Sequence, residues 1–496
     1  MKINAKSILY TIIIVGAFVF LCFRADLVPG IGSYLGGDLY GEQSTLNPDG
    51  DPDILGPIAQ SHYDSFMLTL WITALLCITV GGPFVYAMFA FKEKPGFDPK
   101  KDKLPKQTHG NTKIEVSLIF YSTALLFIIA FLPFGEKKIP AIAGIPYFFE
   151  GKTKTEGVPT LPDDPLLTIN VTGHQWWFSF HYPDHGIVTS NEFVFPTKTA
   201  VKINLDSNDV IHSFWLAKLA GKLDLMPGQT NQMWIYADYE SNYSGQCAEF
   251  CGDSHAYMLF RGIATSQEKF DKWVENQKQK VKIEKVENEE IIVEATLSYG
   301  DSEKRKLDAK ETLGYRLFEG NAVPELLKET GQTANTIACK QCHSLDALPP
   351  PNWDKPNLHH FAERTTIAAG WRNMNPERIK EWIQQPGKVK PGNRMWRDFA
   401  VKYGVIEDKN VISPDGEILR KRTTQDLYNR KQTKANAHYK FFTDEEAEAI
   451  AAFLLTLKHP EAPDLGAPPL GKYKRKAAPD KKQATKNSTK SKLAQN

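Results

Sequence analysis

Twenty-six consecutive residues without a charged side chain, Phe66 to Phe91, are the strongest constraint on how this chain can fold. About 20 apolar residues suffice for a helix to cross a bilayer, and Val116 to Phe134 form a second uncharged stretch. The loop between them, residues 92–114, carries seven lysines against three acids, an excess that places it in the cytoplasm. We therefore predict a transmembrane helical hairpin over residues 60–136, with two buried helices of a soluble protein as the alternative.

The two ends of the chain differ from its interior. Residues 8–23 are largely apolar and follow Lys2 and Lys6, a pattern typical of a signal peptide. We predict that residues 1–25 form a signal peptide or a membrane anchor, with an ordinary third span as the alternative. Residues 463–496 are strongly basic and predict a disordered tail, for which contact with anionic lipid is an alternative role.

Between the membrane stretch and the tail, the hydrophobic pattern changes twice. Short β-rich runs separated by Pro, Gly, Asn and Asp predict a small antiparallel sandwich or barrel over residues 160–275. Residues 276–306 are rich in Lys and Glu and predict a solvated, partly helical linker. Helical patterns over residues 307–462, among them a C-terminal helix that Thr443 can cap, predict an all-α unit.

Composition excludes some classes of protein. The 496 residues include 60 basic and 58 acidic side chains, which gives a net charge of +2. This balance gives no case for a nucleic-acid-binding protein. At about 100–200 residues per domain, the length agrees with the three units that the hydrophobic pattern predicts.

Residues 247–258 concentrate metal-binding side chains: Cys247, Cys251, His255 and Met258 lie within twelve residues. Soft sulfur together with imidazole favours copper or zinc over magnesium or calcium, and the thioether favours copper because it is a poor zinc ligand. A redox metal with such ligands indicates electron transfer rather than hydrolysis. A disulfide between the two cysteines is the alternative, which an extracytoplasmic location permits.

This segment resembles the binuclear CuA motif of cytochrome c oxidase subunit II, and residues 212–215, 219–224 and 226–228 resemble other parts of the same family. The resemblance implies a cupredoxin-like sandwich. It also implies a full set of copper ligands: His212, Cys247, the backbone carbonyl of Glu249, Cys251, His255 and Met258. The side chain of Glu249 would then reach a magnesium site at the interface with subunit I, since a carboxylate suits that hard cation.

Two further segments resemble this family. Residues 173–177 match its aromatic stretch, which implies that electrons enter at Trp176; a core aromatic on a strand is the alternative. Residues 109–115 resemble the start of the second membrane helix, which implies that Glu115 lies at the mouth of a proton channel of subunit I. A simple interfacial carboxylate is the alternative for Glu115.

The sequence from Cys339 to His343 is C-x-x-C-H, the attachment signature of a c-type haem. Cys339 and Cys342 would bind the haem vinyl groups and His343 would be an axial ligand of the iron, while a redox dithiol is the alternative. Residues 389–395 resemble the loop that presents the axial methionine in the fused cytochrome c domains of these oxidases. The resemblance implies that Met395, rather than Met374, is the second axial ligand.

Together, the motifs resemble subunit II of a caa3-type haem–copper oxidase: a membrane hairpin, a CuA domain and a C-terminal cytochrome c domain in the inner membrane of a bacterium. The resemblance implies that a quinol-oxidising complex or another cytochrome c delivers electrons to the haem c. They would pass through CuA to haem a of subunit I, where oxygen is reduced to water and protons are pumped; subunit III is a further expected partner. The alternatives are an electron-transfer subunit of a CuA-containing nitric oxide reductase and a membrane-tethered periplasmic electron carrier.

Overall fold

A computed structural model describes 15 stretches of the chain: residues 8–16, 56–91, 96, 98, 110–131, 167–279, 281–285, 290–296, 302–324, 338–346, 355–396, 411–412, 418–420, 442–460 and 462–465. Three predicted features fall wholly or mainly outside these residues: the signal peptide or anchor, except for a helix over residues 8–16, most of the cytoplasmic loop, and the basic tail beyond residue 465. They stay predictions.

The membrane part contains a long interrupted helix and a second helix. Helix α1 (Pro57–Leu76) continues through a π-helical turn (Cys77–Gly81) into α2 (Gly82–Ala90). A Gly-Gly-Pro sequence lies at the junction, and proline cannot donate the hydrogen bond that a continuous α-helix needs. Among the described residues, one helix, Leu68–Ala90, is long and apolar enough to cross a membrane. Helix α3 (Thr112–Phe131) occupies the segment where the second crossing is predicted, and that crossing stays a prediction.

Ten strands form a β-sandwich, as the sequence predicts for this region. The first sheet has the order β3 (Ile187–Ser190), β2 (Trp177–Tyr182), β1 (Leu167–His174), β5 (Val201–Ser207) and β8 (Asn231–Ile235). The second has the order β4 (Glu192–Pro196), β10 (Leu259–Thr265), β9 (Ser241–Cys247), β6 (His212–Trp215) and β7 (Lys222–Leu225).

The prediction of a purely antiparallel sandwich is wrong for one strand pair in each sheet. Strands β1 and β5 run parallel, and so do β4 and β10. The reason is that the chain crosses to the second sheet as β4 before it returns to the first as β5. A strand that returns in this way can lie parallel to its neighbour, whereas a short hairpin makes its two strands antiparallel.

Alternating residues of the strands fill the space between the two sheets. Every second residue of β1 and β5 is buried, and fully buried aromatic rings occupy the centre. The rings of Phe214 and Phe260 stack with centroids 4.6 Å apart. Gly245 on the adjacent strand leaves room for them, because a Cβ there would lie 2.2 Å from the Phe260 ring. Helix α4 (Gln267–Lys278) follows the last strand and starts at a Ser266 cap.

The predicted linker over residues 276–306 is mainly a small sheet. Strands β11 (Val281–Lys285), β12 (Ile291–Thr296) and β13 (Ser302–Lys306) pair antiparallel, so the prediction of a solvated, partly helical linker is wrong here. Ile291 and Val293, two residues apart in β12, are buried in the C-terminal core. The Lys and Glu residues that dominate the composition of this segment hide this short apolar signal.

The C-terminal unit is mainly helical. Helix α5 (Ala309–Glu319) crosses α8 (Asp444–Leu454) at Gly314, where a Cβ would lie 2.0 Å from the backbone oxygen of Ala449. Thr443 caps α8 through a reciprocal capping box, which confirms that part of the prediction. Two shorter helices lie between them in sequence, α6 (Pro376–Gln384) and α7 (Pro386–Val389).

The prediction of an all-α C-terminal unit needs correction, because the unit also contains two short strand pairs. These are β14 (Thr366–Ile367) with β15 (Arg372–Asn373), and β16 (Val411–Ile412) with β17 (Ile418–Arg420). The first pair is joined by a turn in which Ala368, Ala369 and Gly370 all have positive φ angles. This turn faces the sandwich: the Ala369 oxygen accepts a hydrogen bond of 3.0 Å from the Leu259 nitrogen.

Buried polar contacts join the sandwich to the C-terminal unit. The carboxylate of Glu192 on β4 accepts hydrogen bonds from the backbone nitrogens and the hydroxyl groups of Thr365 and Thr366. Asn357 donates from its backbone nitrogen to Ser190 (2.9 Å) and from its amide to the Val188 oxygen (3.0 Å). Because each of these groups has a specific partner on the other unit, the contacts define one relative orientation of the two units.

Candidate functional site: a sulfur and imidazole cluster beside a cavity

The first cysteine pair lies in the loop that connects β9 to β10. Cys247 is the last residue of β9, and its nitrogen donates to the Met258 oxygen over 2.9 Å, which closes the base of the loop. Gly252 turns the backbone with a φ of 113°, and a 3-10 turn over His255–Tyr257 follows. This short loop therefore brings the sulfur atoms and the His255 ring of the motif to one point.

His212 reaches the same point from a neighbouring strand. Strand β6 pairs with β9 so that Phe214 is opposite Cys247, which places His212 beside the loop. Gly173 on β1 makes this approach possible, because a Cβ at residue 173 would lie 2.6 Å from the His212 ring. The histidine is thus held by strand pairing, and its position does not depend on the loop alone.

All six predicted ligand groups lie in one cluster. The sulfur atoms of Cys247 and Cys251 are 3.7 Å apart, too far for a disulfide of about 2.05 Å and close enough for both to bind one metal ion at about 2.3 Å. Both residues are free cysteines, so the structure does not show the disulfide alternative. The other distances are 3.9 Å from Cys247 Sγ to His212 Nδ1, 3.5 Å from Cys251 Sγ to His255 Nδ1, 3.8 Å from Cys251 Sγ to Met258 Sδ and 3.2 Å from Cys247 Sγ to the Glu249 oxygen.

Asp209 orients the first histidine and was missed by sequence reasoning. One carboxylate oxygen lies 2.8 Å from His212 Nε2, and the other accepts a 2.7 Å hydrogen bond from the backbone nitrogen of Gln175. A hydrogen bond at Nε2 leaves Nδ1, the nitrogen that faces the sulfur atoms, available for a metal. The only signal in the sequence is an acid three residues before the histidine.

The electrostatics of the cluster couple metal binding to the release of protons. Hydrogen bonding from Cys251 lowers the pKa of Cys247, and the same contact raises the pKa of Cys251, because the two thiols compete for one proton. Burial alone would lower the pKa of His212, but the hydrogen bonds with Asp209 and Cys247 raise it overall. Without metal the cluster therefore retains protons, which a soft cation displaces when it binds.

Trp176 lies against the loop between β9 and β10, which carries Cys251. It precedes β2 and is 3% exposed, and its indole nitrogen donates to the Cys251 oxygen over 2.9 Å. Gln175 donates to the same oxygen over 2.8 Å. Trp176 is therefore a buried core aromatic, as the alternative interpretation states. Its indole group is also hydrogen-bonded to Cys251, whose sulfur belongs to the cluster.

A cavity of about 160 Å³ lies on the other side of Trp176, where the sandwich meets the C-terminal unit. Its lining brings together all four residues predicted to bind haem: Cys339, Cys342, His343 and Met395. Met374 is not part of this lining; it packs at the edge of the C-terminal core. The tryptophan therefore lies between the sulfur cluster and the cavity.

The residues around the cavity fit a covalently bound haem. His343 Nδ1 lies 2.8 Å from the Pro356 oxygen, which leaves Nε2 for an axial bond, and burial lowers the pKa of His343 so that the ring is neutral. Both thiols needed for attachment are present. Four basic residues, Lys355, Arg364, Lys390 and Arg394, also line the cavity, which suits a ligand with carboxylate groups.

The remaining predicted residue, Glu115, lies in the first turn of α3. Its carboxylate accepts a hydrogen bond of 3.2 Å from the backbone nitrogen of Asn111, and the Asn111 side chain accepts from the nitrogens of Lys113 and Ile114. These contacts satisfy amide groups at the start of the helix. They agree with the simple carboxylate alternative, and the proton-channel role stays a prediction.

Comparison with known proteins identifies the family. Residues 186–261 match the family described as cytochrome C oxidase subunit II, periplasmic domain. Cytochrome c oxidase subunit 2 of Alkalihalophilus pseudofirmus is 32% identical over 346 residues, which cover 69% of this chain and 83% of the relative. The subunit 2 of Bacillus sp. strain PS3 is 29% identical over 377 residues, 74% of this chain and 88% of the relative.

A solved structure of the periplasmic domain of subunit II of cytochrome oxidase from Bradyrhizobium japonicum is 33% identical to this chain. It matches 23% of this chain and 94% of that domain with a TM-score of 0.23.

The relatives and the site agree. His212, Cys247, Cys251 and Met258 form a buried donor set that is consistent with CuA, within a sandwich that belongs to the matched periplasmic region. The chain therefore belongs to the cytochrome c oxidase subunit II family, the electron-transfer subunits of haem–copper terminal oxidases.

Proposed function

We propose that this subunit carries a covalent haem c in its C-terminal unit, and that electrons pass from there to a dinuclear CuA centre and on to haem a of subunit I. The complex then reduces oxygen to water and pumps protons. The observation that carries this proposal is the shared position of Trp176, which lines the cavity of the haem motif and donates a hydrogen bond to Cys251 of the copper motif.

The similarity to other subunits supports a C-terminal unit that is part of the family architecture. The alignment with the A. pseudofirmus protein spans 346 residues, whereas residues 1–306 of this chain precede the helical unit. The alignment must therefore extend into that unit.

In the C-terminal unit, Cys339 and Cys342 would anchor the haem, and His343 and Met395 would be the axial ligands. A bound haem supplies one-electron redox chemistry, and a histidine–methionine ligand pair raises its potential. The Pro356 carbonyl holds the His343 ring by its Nδ1 atom. Burial keeps that ring neutral, as a metal ligand must be.

In the sandwich, two copper ions would be held by Cys247, Cys251, His212, His255, Met258 and the Glu249 carbonyl, and would supply one-electron redox chemistry there. The pairing of β6 with β9 holds His212, and the hydrogen bond from Cys247 to Met258 closes the loop that carries the other ligands. We further propose that the side chain of Glu249 contributes to a magnesium site shared with subunit I, and that subunit III and a quinol-oxidising complex or another cytochrome c are partners.

Replacement of Cys247 or Cys251 by Ser is expected to abolish the mixed-valence copper signal. A hydroxyl is a harder, less acidic ligand than a thiol and cannot bridge copper in the same way. The measurement is the visible and electron paramagnetic resonance spectrum of the purified oxidase complex. A Cys77→Ser variant is the matched control and keeps the signal; one isolated copper ion in the unmodified protein would contradict the dinuclear assignment.

Asp209→Asn is expected to weaken copper retention by about 10–100-fold, the usual effect of losing a residue that orients a metal ligand. An amide cannot accept both hydrogen bonds, from His212 and from the Gln175 nitrogen, because one of its two terminal atoms is a donor. Titration of the loaded complex with a copper chelator measures the effect. The exposed Asp184→Asn change serves as control, and equal retention in both variants would refute the orienting role.

The double change Cys339→Ser and Cys342→Ser is expected to remove covalent haem while leaving the CuA spectrum intact, because the two sites use separate residues. Haem staining after denaturing electrophoresis reports covalent attachment, and the copper spectrum is recorded on the same preparation. Haem that stays attached in the double variant, or the absence of covalent haem from the unmodified subunit, would rule out this attachment site.

The complex purified from its native membrane is expected to consume oxygen when supplied with a reduced cytochrome c. The assay is oxygen uptake, run in parallel with nitric oxide uptake under anaerobic conditions. Consumption of nitric oxide without oxygen uptake would favour the nitric oxide reductase alternative over the oxidase. If the complex consumed neither gas, the alternative of a membrane-tethered electron carrier would be favoured.

A further inference from the structure

Lys390 is a buried lysine in the cavity lining, and the functions described above do not use its hydrogen bonds to the backbone. It is 3% exposed and lies five residues before Met395, between the sandwich and the C-terminal unit. Burial lowers its pKa to about 7, so its position costs free energy that a surface lysine does not pay. A lysine is rarely buried to this extent unless it is paired or has a specific role.

The ammonium group of Lys390 connects the two units through backbone oxygens. It donates to the Trp176 oxygen in the sandwich and, over 3.4 Å, to the Ala368 oxygen in the C-terminal unit. Ala368 belongs to the turn of consecutive positive φ angles, whose next residue, Ala369, is bonded to Leu259. One side chain therefore fixes the backbone of the tryptophan and the backbone of the facing turn.

The two residues after Lys390 also touch the copper-binding side. The hydroxyl of Ser254 donates to the Pro391 oxygen. Gly392 packs so closely that a Cβ there would lie 3.0 Å from Asp253 and 3.2 Å from the Trp176 ring. Three consecutive residues of the loop that leads to Met395 are thus in contact with the tryptophan or with the loop of the sulfur cluster.

We propose that Lys390 is a positioning residue for electron transfer: its ammonium group holds Trp176 in place between the haem cavity and the copper-binding loop. The proposal rests on the proposed function, because it requires a haem in the cavity. One electron leaves the haem site, which is oxidised, and arrives at the copper site, which is reduced, and no bond is made or broken. The rate of such a step falls steeply with distance, so small displacements of the intervening groups matter.

The test compares Lys390→Met with Lys388→Met in the complete oxidase complex. Methionine has a similar length and no donor, so the Trp176 oxygen loses its buried partner. Lys388 is two residues away, with its side chain 49% exposed, and is absent from the cavity lining. After photoreduction of the haem, the rate of electron arrival at copper is measured, together with the haem and copper content and both reduction potentials.

We expect the rate of electron arrival at copper in fully loaded Lys390→Met to fall by about tenfold, which is less than the roughly 100-fold that a 1 Å misplacement of a positioned group can cost. The potentials should change too little to explain the fall, and Lys388→Met should match the wild type. An unchanged rate in the loaded Lys390→Met complex, or a slower rate that the potentials explain in full, overturns the proposal.

The wild-type complex provides a second measurement in case Lys390→Met does not assemble. Acylation of lysines in the native complex, followed by peptide mass spectrometry, should modify Lys388 and spare Lys390, and equal modification of the two overturns the proposal. Failure of the proposed function can be distinguished from failure of this proposal, because the unmodified subunit would then contain no covalent haem.

Discussion

Two sulfur atoms held 3.7 Å apart inside a β-sandwich are the constraint on which the rest of the site depends. Without metal the pair does not carry two negative charges, because the hydrogen bond to Cys247 and the charge on Cys247 raise the pKa of Cys251 and keep its proton in place. The pairing of β6 with β9 and the hydrogen bond between Cys247 and Met258 hold the pair in place. The fold thus holds the two sulfur atoms at a spacing that suits a bound soft cation.

The polar contacts between the sandwich and the C-terminal unit mainly determine the relative orientation of the two units. A typical hydrogen bond adds only about 1 kcal/mol to stability, because the separated groups would bond to water instead. A shifted orientation is far less favourable, since it would bury the Glu192 carboxylate without its donors, and a buried charge that loses its partner costs about 3–5 kcal/mol. The polar contacts of Glu192 and Asn357 therefore select one orientation more than they hold the units together.

The sequence predicts the groups that act locally and misses those that act across the fold. Five of the six predicted copper-ligand groups lie within twelve residues, and the haem attachment signature within five, so short motifs predict them. Asp209 and Lys390 have no such signal, because their partners His212 and Trp176 are defined by hydrogen bonds that only the folded chain forms. The small sheet that includes Ile291–Thr296 was missed for another reason: Lys and Glu dominate the composition of this segment, although Ile291 and Val293 are buried in the core.

The loop that carries Met395 links the cavity to the junction. Asn393 closes this loop by donating to the Pro386 and Lys390 oxygens, and it accepts a 2.8 Å bond from the Trp396 nitrogen. The same loop contacts Trp176 through Lys390. A ligand that binds Met395 more tightly when the loop is closed would favour the junction. By thermodynamic linkage, the junction must favour that ligand to the same extent. For such a ligand, packing of the C-terminal unit against the sandwich and filling of the cavity would be coupled, because Lys390 and Asn393 of the same loop hold both.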